Sequence, residues 1–88
     1  MFELYDVVKL RRAIPEIPLP AGSSGTVVIV HDAHPPAYEV EFPDAVDANG
    51  VDANGLQSLG VYTVHAADLE EGDNSWKDAR RDRQARES

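Results

Sequence analysis

Ala21-Gly22-Ser23-Ser24-Gly25-Thr26-Val27-Val28-Ile29-Val30, followed after His31-Asp32-Ala33-His34-Pro35-Pro36 by Ala37-Tyr38-Glu39-Val40-Glu41-Phe42, decides the fold class. A polar turn bounded by glycines opens into a β-branched run, a proline-marked break follows, and the second run alternates strictly between apolar and acidic residues. That is the pattern of a β-hairpin. A period of two puts Tyr38, Val40 and Phe42 on one face and Glu39 and Glu41 on the other, so the sheet has one dry and one wet side. The reading predicts that Thr26 to His31 pairs antiparallel with Ala37 to Phe42, with Val27, Ile29, Val40 and Phe42 facing the interior.

The flanking segments extend this scaffold. Asp6-Val7-Val8-Lys9-Leu10 is a short apolar strand. Between Arg11 and Gly25, Pro15, Pro18 and Pro20 each lack an N–H and fix φ, which forbids regular structure and predicts a stiff extended loop. Its Ile14, Ile17 and Leu19 are available to cover the core. Asp44 to Gly55 contains Val-Asp-Ala-Asn-Gly twice in tandem, read as a duplicated hairpin loop because Asn-Gly tolerates the positive φ of tight turns. Leu56 to Val64, bent at Gly60, supplies a fourth strand, and Ala66 to Leu69 a short helical turn or a last half-strand.

The chain of 88 residues divides into one domain over 1–72 and a charged tail over 73–88, the latter partly helical or disordered and bearing a lone Trp76. Of the net charge of −8, Met1 to Gly72 carries twelve Asp or Glu against three Lys or Arg. Such a surface repels phosphate backbones and anionic lipid, so neither nucleic acid nor membrane is an expected partner. Cysteine is absent, which excludes disulfides and thiolate metal sites and fits a reducing compartment. The first residues carry no basic and apolar leader pattern and no apolar run is long enough to span a bilayer, so the expected location is the cytoplasm.

No catalytic constellation emerges. His31, His34 and His65, with Asp32 beside them, invite a metal reading if strands two and four end at one rim, but they have no ligand spacing signature and polar loop chemistry explains them better. Asp44, Asp47, Asn49, Asp52 and Asn54 suggest calcium until the register is counted. Stepping back from Gly50 or Gly55 places Ala45 or Gly50 where an EF-hand loop needs its first oxygen ligand. Gly22-Ser23-Ser24-Gly25 has neither nucleophile-elbow spacing nor a P-loop lysine, and Glu39 with Glu41 is the ordinary solvated face of a strand. No catalytic, cofactor-binding or metal-binding residue is therefore assigned.

Asp6-Val7-Val8, the proline-interrupted loop, Gly22-x-x-Gly25-Thr26-Val27-Val28, Tyr38-Glu39-Val40-Glu41-Phe42 and Asp68-Leu69 together resemble a bacterial family of short proteins, domain of unknown function 4926, over about Tyr5 to Glu70. The Gly-x-x-Gly-x-Val element alone is also similar to the KOW element of ribosomal and transcription proteins. The resemblance implies an all-β, SH3-like barrel of about five antiparallel strands and brings no activity, cofactor or catalytic residue with it. The doubled Val-Asp-Ala-Asn-Gly loop and the charged tail depart from the family pattern.

The expectation is a non-catalytic protein-interaction module, an accessory or antitoxin-like partner of another protein or a homodimer. Its binding face carries Ile14, Ile17, Leu19 and Trp76, an apolar patch with an acidic rim suited to a basic or mixed protein surface. The rival readings are a nucleic-acid-binding KOW-type module and a small metal-binding protein.

Overall fold

The computed structural model describes residues 2–75, so of the expected tail over 73–88 the residues 76–88, Trp76 among them, lie outside. Five antiparallel strands form one sheet: β1 (Val7–Leu10), β2 (Ser24–His31), β3 (Ala37–Glu41), β4 (Val61–His65) and β5 (Leu69–Glu71). The hydrogen-bonded order is β4-β3-β2-β1-β5, so the first four strands form a meander and the last returns to pair with the first. The all-β, five-stranded expectation is met.

The order has a geometric consequence. It puts β4 and β5 on opposite edges, yet only the 3-10 turn Ala66–Asp68 joins them. Four strand spacings would hold the edges of a flat sheet roughly 19 Å apart. A 3-10 connection rising about 2 Å per residue spans less than half of that. The sheet must therefore roll, and the turn is fastened to both sides of the gap. Ala66 N–H donates to Pro36 O beside β3 (3.1 Å), and Arg11 N–H, just past β1, donates to Asp68 O (2.9 Å). The roll is SH3-like, but β4 and β5 do not pair with each other, so the expected barrel is an open one.

The rolled sheet encloses a core to which every strand contributes: Val8, Leu10, Val27, Tyr38, Val40, Val64 and Leu69, joined by Phe42, Ile17 and Ala45. Tyr38, Val40 and Phe42 are each fully buried, as their alternation predicts. Burying Tyr38 requires a partner for its hydroxyl, and Phe2 N–H donates to it at 3.1 Å while the Phe2 ring packs edge-on at 5.5 Å.

Ile29 departs from expectation. The register of β2 against β3 is Val27↔Val40 and then Ile29↔Glu39, so Val28 is an extra residue, a β-bulge that reverses the alternation beyond it. Ile29 consequently lies on the outer face and is half exposed. The fourth strand also begins later than its apolar run suggests, at Val61 rather than Leu56, because Gly60 takes a left-handed φ of 68° and turns the chain into the strand.

The proline loop is not extended. Ile17 N–H donates to Ile14 O (2.9 Å), Leu19 N–H to Ile17 O (2.8 Å) and Ser23 N–H to Pro20 O (3.3 Å), so the chain advances by tight turns that fold Ile17 into the core. The tandem repeat forms two like turns. Asp47 Oδ1 accepts the N–H groups of Asn49 and Val51 at 2.8 and 3.0 Å, and Asp52 Oδ1 accepts those of Asn54 and Leu56 at 2.9 and 3.0 Å. Past Gly72, Asn74 still touches the sheet, with its side-chain amide bonded to both the N–H (2.8 Å) and the C=O (3.0 Å) of Val7.

Gly25 has no turn function, since it is buried inside β2. A Cβ there would lie 2.6 Å from Val40 Cγ1 and 2.8 Å from both Glu41 O and Phe42 Cδ1. The hydrogen atom of Gly25 is what lets β2 curl against β3. Gly25→Ala should lower unfolding stability by about 1–3 kcal/mol, since the clash falls on backbone and a packed ring; an unchanged denaturation midpoint would contradict the close approach. Deleting Val51 to Gly55 leaves Val-Asp-Ala-Asn-Gly followed by Leu56, the sequence of the second turn itself. Stability should shift by well under about 1 kcal/mol, measured by the same denaturation. Loss of folding would mean that the repeat packs as part of the structure.

Candidate functional site

The Arg11–Leu19 loop leaves β1 where the Ala66–Asp68 turn is pinned, and this brings its first residues against that turn. Arg12 Nε donates to Asp68 Oδ1 at 2.7 Å and Nη2 to Oδ2 at 3.3 Å, a bidentate pair, while Nη1 lies 3.5 Å from Ala13 O. The hydrogen bond and charge of Asp68 raise the Arg12 pKa above its ordinary value, so the guanidinium remains cationic. Its side chain is 60% exposed, so the pair fixes direction more than it adds stability.

Beyond Arg12 the loop lays Ile14 and Ile17 opposite β4. Between the two lies a half-open recess of about 360 Å³, walled by Arg12, Ile14, Glu16 and Ile17 on one side and Tyr62 to His65 on the other, with Asp68 at its end. Tyr62 is partly buried, its ring 6.3 Å from Phe42, and it supplies an aromatic wall on the open edge strand. The recess combines apolar walls with one oriented cation and the exposed carboxylate of Glu16 at its rim. It can hold an apolar side chain while its polar groups orient whatever carries that side chain.

The residues expected to bind a partner fall in three places. Ile17 is 4% exposed and belongs to the protein's own core, so a partner meets it only as the floor of the recess. Ile14 and Leu19 are half-buried and pack against that core, and Ile14 also lines the recess. Trp76 lies outside the described residues. Tyr62, Thr63 and Asp68 were not legible as site residues, because nothing in their local sequence marks them. Only the pairing of the turn with Arg11 brings them to the loop.

His31 and His65 do end at one rim, flanking Ala37 across β3. His31 Nε2 lies 3.2 Å from Glu39 Oε1, and Thr63 Oγ1 lies 2.8 Å from each Glu39 oxygen, so Glu39 ties three strands together on the outer face. Glu41 on the same face is exposed. Among the described residues no group of three or more His, Cys, Asp or Glu is placed to hold a metal ion, and no helix is long and apolar enough to cross a membrane. In the repeat, Asp47 and Asp52 spend an oxygen each on closing their own turns.

Comparison with known proteins gives a family. Residues 4–50 match the model described as Domain of unknown function (DUF4926), a span from the turn before β1 through the first copy of the repeat. No curated protein and no solved structure matches the chain.

Proposed function

Since the chain belongs to the DUF4926 family, whose function is unknown, we propose from the recess itself that it is a non-catalytic protein-interaction module working in the cytoplasm. The recess between the Arg11–Leu19 loop and β4 takes a basic or mixed-charge segment of another protein. One observation carries this reading: the apolar walls of Ile14 and Tyr62 converge on an arginine whose direction is fixed by Asp68. The loop face is also favoured energetically, because its backbone is already held by turns and a partner would meet a preformed surface.

Charge supports a protein over a nucleic acid. Only Lys9, Arg11 and Arg12 are basic in the described part, against thirteen carboxylates, so a phosphate backbone would meet net repulsion. A basic segment meets attraction over the same surface, and Glu16 stands at the recess rim to receive it. The accessory or antitoxin-like role is the biological form of this reading, in which the partner is separately encoded.

The test begins with affinity capture using the full chain, followed by mapping of the purified partner's footprint by amide chemical shifts. The expected footprint covers Arg12, Ile14, Tyr62 and His65, and Arg12→Gln, which removes the directed guanidinium without adding negative charge, should weaken the complex by about tenfold or more while thermal unfolding moves little. Micromolar binding to duplex or single-stranded nucleic acid at physiological salt would overturn the reading. A footprint confined to the opposite end of the sheet would overturn the choice of face.

A further inference from the structure

β2 outruns its neighbour. β1 pairs with it at Lys9↔Ser24, Val8↔Gly25 and Val7↔Thr26, and the last contacts are at Val27, whose N–H donates to Asp6 O (2.9 Å) and whose C=O accepts from Tyr5 N–H (2.7 Å). Tyr5 then turns the chain away with a φ of 68°, and Phe2 crosses to Tyr38 instead of continuing along β2. From Val28 to His31 the strand pairs with β3 on one side and, among the described residues, with no strand on the other.

The polar groups of this edge can be traced by register. Val27 faces β1 with both its N–H and C=O, so its pairing with Val40 is of the kind without hydrogen bonds. Such pairs alternate along an antiparallel ladder, and Tyr38, two residues before Val40, sits opposite Val30. The N–H and C=O of Val30 therefore face the open edge. The side chains beside it are apolar: Leu4, Tyr5, Ile29 and Val30 are each between 40% and 61% exposed. Strand edges of this composition usually carry a lysine, a proline or an inward charge that blocks pairing. Val28-Ile29-Val30 has none of these, and its one edge-blunting feature, the bulge at Val28, still leaves Val30 facing outward.

Tyr5 adds an independent pointer. Among the described residues it is the one non-glycine with positive φ, a conformation disfavoured for any residue with a Cβ, and its ring is spent on solvent rather than on the core. Backbone strain of this kind is retained where a surface has a use for it. The charge around the edge specifies the user. Glu39 pairs opposite Ile29, Asp32 follows His31 and Glu3 precedes Leu4 in the chain, and neither residues 2–8 nor residues 24–41 contain a lysine or arginine.

We propose that the open edge of β2 at Val28–His31, with Leu4 and Tyr5 beside it, adds an extended strand of another protein in which apolar residues alternate with Lys or Arg. The main chain of that strand pairs with Val30, its apolar side chains cover Tyr5 and Ile29, and its cations meet the flanking carboxylates. A second copy of the chain is the poorer occupant, because it would bring the same carboxylates against one another. The edge is lined by none of the recess residues, so this inference stands apart from the recess reading.

The experiment titrates the full chain, labelled for amide detection, with a synthetic peptide of alternating Lys and Val and with its Glu-Val counterpart. The Lys-Val peptide should shift the amides of Tyr5 and Val28–His31 and slow hydrogen exchange at Val30 by about tenfold or more. The Glu-Val peptide should do neither. Val30→Pro should weaken binding by about tenfold or more. Tyr5→Gly, which suits the left-handed conformation, should leave thermal unfolding unchanged or raised while also weakening binding, so the inference does not hang on the proline variant folding. Ile14→Ser, in the recess, should bind the peptide as the parent chain does. Peptide shifts confined to Arg12, Ile14 and Tyr62 would overturn the proposal, as would equal binding of both peptides. Self-association with the Val28–His31 footprint in the absence of peptide would overturn it in favour of the second copy.

Discussion

Everything in this fold depends on a short rope between two distant strands. β4 and β5 stand on opposite edges of one sheet, and the Ala66–Asp68 turn is too short to join them unless the sheet rolls. Rolling gives a small chain an interior it would otherwise lack. A flat five-stranded sheet buries one face only against something else, whereas the rolled one buries Val8, Val27, Tyr38, Val40 and Val64 against each other. The curl in turn demands that β2 and β3 come closer than side chains normally permit, and Gly25 meets that demand by having none. The Val28 bulge adds local twist farther along the same strand.

The parts of the fold legible in the sequence are those governed by local alternation. Tyr38, Val40 and Phe42 lie on a strand without irregularity, so their period of two translates directly into burial. Ile29 follows the same rule on paper but sits beyond a bulge, and a bulge leaves no mark in an unbroken β-branched run such as Thr26 to Val30. Gly25 was visible as a glycine, but its reason was not. Turn chemistry and close backbone approach use the same residue, and only the neighbours, Val40 and Phe42, tell them apart. Leu56 and Leu59 made the fourth strand look longer than it is, although both are among the most exposed apolar residues of the protein.

The recess is less legible for a related reason. Its loop wall comes from a stretch that the sequence marks by three prolines and by Ile14, Ile17 and Leu19, of which Ile14 and Ile17 line the recess. Its other wall comes from β4 and from Asp68, which approach the loop through a hydrogen bond between Arg11 and Asp68 that spans most of the chain. The same turn that rolls the sheet thus also assembles the recess and orients Arg12. The edge of β2 is the reverse case, a surface left open because Tyr5 turns β1 aside after one strand-length of pairing. Structure and candidate function therefore trace back to how the two ends of the sheet are terminated.

The central claim is that the Ala66–Asp68 turn is a structural fastening rather than a loop that follows the sheet passively. Native-state hydrogen exchange at the amides of Arg11 and Ala66 tests it most directly, because these two N–H groups hold the turn to the two sides of the gap. The account predicts that both exchange only with global unfolding, at the rate of the β2–β3 core amides. Rapid exchange at Arg11 and Ala66 while the β2–β3 amides stay protected would show that the sheet holds its shape without the fastening, and would contradict the account.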